Sequence, residues 1–196
     1  MNLRLVSSRV AVIAVIGLAV CSGHAWKEHG GVDALLALLG YAMLLVGAIG
    51  RIWCAVYIAG RKNKDLVTSG PFSITRNPLY FFSFIAFVGA GLSFESITLA
   101  AVFGGVFFAT HWRTILREER TLADIFGAEY DAYTARVPRF LPRPRLYVPA
   151  AVVTLSIPVF MRAVLEAGLI PLAFLGAQAV EAGHESGVLP TLLWLY

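Results

Sequence analysis

Long apolar runs separated by short polar stretches organise this chain. They fall at about Leu5–Ala25, Val32–Ala59, Leu79–Phe94, Ile97–Ile115 and Tyr147–Leu169. A helix needs roughly 20 apolar residues to cross the about 30 Å hydrocarbon core of a bilayer, so each run is expected to be a transmembrane helix. The second run is too long to stand upright, which predicts a tilt or an end that projects into water. Little more than Glu95-Ser96 separates the third from the fourth, which predicts a tight antiparallel hairpin. Beyond Leu169, Pro171 interrupts the apolar stretch that ends at Val180, and that stretch is too short to span alone. The expected fold class is therefore all-α: a polytopic transmembrane helical bundle of five spans, or six if the C-terminal stretch forms a further or broken helix. One integral membrane domain is expected over residues 1–196.

Composition supports this reading. Hydrophobic residues make up 58% of the 196 and charged residues only 14%, against about 45–50% and about 25% in soluble domains. Arg4 and Arg9 before the apolar run Val10–Val20 resemble a secretory signal, and Leu18-Ala19-Val20-Cys21 loosely resembles a lipoprotein cleavage site. Val20 is too bulky for the position before that cysteine, so the segment is read as the first transmembrane helix. Cys21 and Cys54 both lie within apolar runs and read as small core residues, with no disulfide or metal spacing.

Charge gives the orientation. Arg4 and Arg9 precede the first run; Arg61, Lys62, Lys64 and Arg76 follow the second; Arg117, Arg120, Arg136, Arg139, Arg143 and Arg145 follow the fourth. The opposite loops carry only Lys27. With five spans the three basic regions share one side, which the positive-inside rule makes cytoplasmic, together with the N-terminus. The net charge of +4 is then topological. The cations sit at helix ends and do not form a patch interleaved with aromatics, so no nucleic acid partner is expected.

The longest polar stretch is Arg117–Arg145. Arg117–Phe126 reads as a continuation of the fourth helix into water, Gly127 as its stop, and Ala128–Arg136 as a further helix. Pro138, Pro142 and Pro144 then predict an extended strap. Candidate chemistry concentrates here and in Leu66–Tyr80. No glycine-rich nucleotide loop follows a strand, and there is no phosphate-binding loop, His-Glu-x-x-His or serine elbow. His24, His29, His111 and His184 are scattered, so no metal is expected. Asn77-Pro78 fits a helix start, and Arg76 beside it adds a cation to the positive end of the helix dipole. The adjacent carboxylates Glu118-Glu119 meet an unfavourable dipole and require cations, from Arg113, Arg117 and Arg120 or from a ligand.

These segments carry a resemblance. Leu66-Val67-Thr68-Ser69-Gly70, Arg76-Asn77-Pro78-Leu79-Tyr80, Glu118-Glu119, Phe126-Gly127-Ala128-Glu129-Tyr130-Asp131-Ala132-Tyr133 and Val137-Pro138-Arg139-Phe140-Leu141-Pro142 are similar to the isoprenylcysteine carboxyl methyltransferase family, itself related to the phospholipid N-methyltransferases. The match covers roughly residues 51–142; residues 143–196 read as accessory C-terminal helices. The resemblance implies an integral membrane enzyme that holds S-adenosylmethionine in a cytoplasmic pocket formed by helix ends and the proline-rich strap, and that methylates a lipid-like or lipid-anchored acceptor. The acceptor is either a carboxylate of the isoprenylcysteine type or an amine of the phospholipid type.

On this reading Arg76 and Glu119 are the catalytic candidates. Leu66, Val67, Gly70, Phe72, Asn77, Pro78, Tyr80, Glu118, Glu119 and Tyr130 are the cofactor-binding candidates. Arg51, Trp53 and Tyr57, near the end of the second run, are candidates for gripping the acceptor headgroup, against a reading as a snorkelling cation with an aromatic belt. Arg162 and Glu166 read as a self-neutralising pair. One departure stands out: the family usually has His where this chain has Asn77, and an amide cannot act as a base near neutral pH. Two alternatives remain open. Sterol reductases have a similar C-terminal half, which would imply NADPH and hydride transfer, and a non-catalytic membrane scaffold or sensor could keep the same frame. The sequence leaves the oligomeric state open.

Overall fold

The computed structural model describes residues 17–24 and 31–195. The expected first helix therefore lies outside the described residues except for its end, where residues 17–21 are helical. Among the described residues there are seven further helices: α1 (Gly31–Ile58), α2 (Pro71–Ile74), α3 (Pro78–Leu92), α4 (Ile97–Phe126), α5 (Ala128–Arg136), α6 (Ile157–Gly168) and α7 (Leu172–Glu185). Two three-residue strands, β1 (Ser22–His24) and β2 (Leu193–Leu195), pair in parallel with Ser22 opposite Leu193.

Three stretches are long and apolar enough to cross a membrane: Gly31–Ile58, Ile97–Phe126 and Ile157–Glu185, the last containing α6 and α7. Helix α3 is apolar but has only 15 residues, about 22 Å of helix and short of the hydrocarbon thickness. The expected fifth span from Tyr147 is corrected. Residues 147–156 are not helical, and α6 begins only at Ile157. The cause is local and long-range together: Pro149 holds Val148 away from the α region, and the strap's backbone is already bonded to residues distant in sequence. Gly70 N donates to Val148 O at 2.8 Å and Ser156 N to Ala59 O at 3.0 Å.

The described residues divide into two compact units, one within residues 1–45, 84–110 and 170–196, the other comprising residues 46–83 and 111–169. In the first, Gly40 and Gly89 let two helix backbones meet. A Cβ on Gly40 would lie 2.6 Å from Ser93 N, and one on Gly89 would lie 2.8 Å from Gly40 O. Phe107 is fully buried, with Phe84 and Phe87 ring centroids 5.6 and 5.4 Å away.

The second unit carries the polar segments. Its apolar interior includes Cys54, Tyr57, Val67 and Phe72, and a second cluster of Tyr130, Tyr133 and Val137 packs against Leu66, Leu122 and Phe126. Gly127, at φ 51°, ends α4 and opens α5. Prolines lack an N–H, so the strap after α5 offers mainly carbonyls, and the turn before α3 supplies the donors. Arg76 N donates to Pro138 O at 2.9 Å, the fully buried Thr75 hydroxyl lies 3.0 Å from Phe140 O, and Asn77 Nδ2 donates to Arg139 O at 2.9 Å. In the reverse sense Arg143 N donates to Ile74 O at 2.9 Å. The strap is thereby fastened along residues 70–77.

Candidate active site

Within this second unit lies a cavity of about 590 Å³, in the range of small-molecule and cofactor sites. Of the residues expected to act, Arg51, Leu66, Val67, Phe72, Arg76, Asn77, Pro78, Tyr80 and Glu118 line it. Gly70, Trp53, Tyr57, Glu119 and Tyr130 are not among the lining residues. Gly70 serves the fold: its φ is 59°, and a Cβ there would sit 2.3 Å from the Tyr57 ring. The Trp53 ring lies 6.2 Å from both Phe82, edge-on, and Tyr147, tilted.

Glu119 sits behind the wall and organises it. It is 7% exposed, and both of its oxygens are engaged. Oε1 accepts from Asn77 Nδ2 at 2.8 Å, Oε2 accepts from Arg139 Nε at 2.9 Å, and Arg76 Nη1 lies 3.5 Å from Oε2. Asn77 therefore uses both protons of one nitrogen, toward Glu119 and toward Arg139 O. A neutral imidazole has a single N–H, so Asn is matched to this pair of acceptors. Glu118, one residue earlier, faces the cavity and accepts from Lys62 Nζ at 2.7 Å.

Two buried polar atoms beside this cluster have no hydrogen-bond partner: Arg76 Nε and the Tyr130 hydroxyl. Burial raises the Tyr130 pKa, and the Glu119 charge raises it further, against the opposing effect of Arg76. Tyr133, whose hydroxyl donates to Phe72 O at 2.7 Å, is pushed up mainly by burial and then by Tyr130. Both phenols are held neutral.

The structure adds lining residues that the sequence reading did not single out: Lys62, Asp65, Thr121, Tyr133, Val159 and Ala163. Glu166, earlier read as half of an ion pair, also lines the cavity, and its bond to Arg162 is present at 3.0 Å. Helical spacing carries a signal for some of these. Thr121 and Leu122 lie three and four positions after Glu118, and Val159, Ala163 and Glu166 recur on one face of α6. Among the described residues no cluster of three or more His, Cys, Asp or Glu could hold a metal ion.

Long apolar helices beside a cavity lined by both apolar and charged side chains suit a membrane protein. Comparison with known proteins gives the family. A family model described as phospholipid methyltransferase matches residues 35–129. The nickel-cobalt-cadmium resistance protein NccN of Alcaligenes xylosoxydans xylosoxydans is 35% identical over 188 residues, covering 94% of this chain and 86% of that protein. The cobalt-zinc-cadmium resistance protein CzcN of Cupriavidus metallidurans is 35% identical over 191 residues, covering 95% and 86%. The protein-S-isoprenylcysteine O-methyltransferase of Schizosaccharomyces pombe is 31% identical over 87 residues, 43% of this chain and 37% of that protein. No solved structure matches. The chain belongs to the phospholipid methyltransferase family of membrane proteins, to which its resemblance to isoprenylcysteine methyltransferases had pointed. Family and apolar helices together make it an integral membrane protein.

Proposed function

We propose that the protein is an S-adenosylmethionine-dependent membrane methyltransferase that acts on a lipid-like or lipid-anchored acceptor at the cytoplasmic face. The observation that carries this reading is the convergence of Leu66, Val67, Phe72, Asn77, Pro78, Tyr80 and Glu118, from segments far apart in sequence, on one 590 Å³ cavity. The wall suits the cofactor's chemistry. Glu118 offers a carboxylate for an ammonium, and Arg76 offers a guanidinium for a carboxylate. Leu66, Val67 and Pro78 give apolar surface for a base, and Phe72 and Tyr80 give aromatic faces, each worth about 0.5–2 kcal/mol toward a sulfonium. Bound there, S-adenosylmethionine would supply an electrophilic methyl group and leave as a neutral thioether.

In this reading Arg76 meets the reacting groups. Glu119 is a positioning residue, since its oxygens are committed to Asn77, Arg139 and Arg76. Positive charge in the loops before α3 and after α4 favours a cytoplasmic cavity and N-terminus. The test is incubation of the reconstituted protein with native membranes and methyl-labelled S-adenosylmethionine. Label entering a lipid or lipidated protein supports the reading, and no transfer with any membrane extract contradicts it.

A second reading is supported by the two relatives that match nearly the whole chain, both named for resistance to nickel, cobalt, zinc or cadmium. In it the chain serves metal resistance by methylating a membrane component. Unchanged metal sensitivity in cells lacking the protein would contradict it.

A further inference from the structure

We propose that Arg51 determines which acceptors enter: it takes a negatively charged headgroup, phosphate or carboxylate, of an amphiphile and disfavours an amine headgroup. This rests on the reading of the cavity as the methyl-transfer site and names the charge of its acceptor. Arg51 lies about two turns before the end of α1, inside an apolar stretch long enough to cross the membrane. A cation there is costly unless it snorkels to water or faces a cavity with a partner. It faces the cavity and has a polar partner. Its Nη1 donates to Ser83 Oγ at 2.5 Å, and the Ser83 proton goes to Leu79 O at 2.8 Å, so the hydroxyl is set to accept. The half-buried guanidinium is thereby fixed on the cavity wall beside Ala55, Leu79 and Tyr80.

The other charges on that wall are matched. Glu118 pairs with Lys62, Arg76 with Glu119, Asp65 with Arg61 at 2.9 Å, and Glu166 with Arg162. Arg117 is the exception, and it is exposed to solvent. Arg51 has only a neutral hydroxyl as partner among the described residues. An arriving anion would supply the missing charge through a forked hydrogen bond, whereas an ammonium would add like charge in a poorly solvated place. The apolar wall around it suits the alkyl part of the same molecule.

The test is calorimetric titration of the protein in neutral detergent with dodecyl phosphate, dodecylammonium and inorganic phosphate, each on wild type and Arg51→Gln. Wild type is expected to bind dodecyl phosphate at least about tenfold more tightly than dodecylammonium, the effect of one charge-assisted contact. In Arg51→Gln that preference is lost. Equal preference in both proteins overturns the proposal. Displacement of dodecyl phosphate by equimolar inorganic phosphate overturns the amphiphile part and leaves a small-anion site. Should Arg51→Gln fail to fold, Arg51→Lys carries the test: retained anion preference supports charge selection, and equal binding of the two alkyl ligands overturns it. Failure of wild type to bind S-adenosylmethionine, with the alkyl preference intact, would strike the methyltransferase reading and the acceptor role, and leave only the anion preference of Arg51.

Discussion

Asn77 donates its side-chain amide to the Glu119 carboxylate at 2.8 Å, joining the turn before α3 to the C-terminal third of α4 across 42 residues of sequence. The same nitrogen donates to Arg139 O on the strap. One amide thus ties together the three segments that hold Arg76 at the cavity.

Asn77→Ala removes both bonds and leaves buried acceptors unsatisfied. A loss of about 1–3 kcal/mol is expected, read as a lower thermal midpoint in detergent. Asn77→His restores one donor and should fall between the two. Equal stability of all three proteins would contradict the role given to this amide.

Glu119→Gln removes the negative charge between Arg76 and Arg139 while keeping the shape. A buried ion pair broken on one side costs about 3–5 kcal/mol, and Arg139, with 42% of its side chain exposed, brings the expectation to the low end of that range. Lys62→Ala, at the exposed Lys62–Glu118 pair, should cost under about 1 kcal/mol. Denaturant titration of both variants checks the contrast.

How much of this arrangement was legible in the sequence depended on what each segment bonds to. The start of α4 at Ile97, its polar extension past Arg117, the stop at Gly127 and the helix Ala128–Arg136 follow from local signals and agree with the structure. Residues 147–156 misled because Tyr147, Val148, Ala150, Val152 and Val153 read as the start of a span. Their backbone is instead drawn into bonds with Gly70, Ser73 and Ala59, partners distant in sequence. The three-residue strands β1 and β2 are too short to leave a pattern. At the site, Gly70 stood out for its place in the motif, yet its φ and its contact with Tyr57 give it a structural purpose. The separation of Glu118, on the cavity, from Glu119, behind it, follows from the 100° turn between adjacent helical residues and needed the helix to be set in place.

Tyr133 gives a pH signature. Its folded-state pKa is raised above the ordinary value near 10 by burial first and by Tyr130 next. A group raised in this way contributes stability that is present below its unfolded pKa and is lost as pH rises above it. Stability should therefore decline above about pH 10. Tyr133→Phe should lose about 1 kcal/mol at neutral pH through its bond to Phe72 O and show a shallower alkaline decline. A decline of unchanged steepness would show that Tyr133 does not titrate with unfolding.

Gly40→Ala tests the helix contact in the other unit. A methyl group would press on the backbone of Ser93 and Gly89, which cannot yield as a side chain can. A loss of about 1–3 kcal/mol is expected, against little change for Gly105→Ala, where a Cβ meets nothing within 4 Å. Thermal unfolding in a fixed detergent separates the two.

The central claim is that the cavity around Arg76, Asn77 and Glu118 takes S-adenosylmethionine. Calorimetric titration of that compound into folded, lipid-reconstituted protein tests it most directly. Saturable binding that is weakened at least about tenfold in Glu118→Ala is the predicted result. No binding to wild type that remains folded would contradict the account.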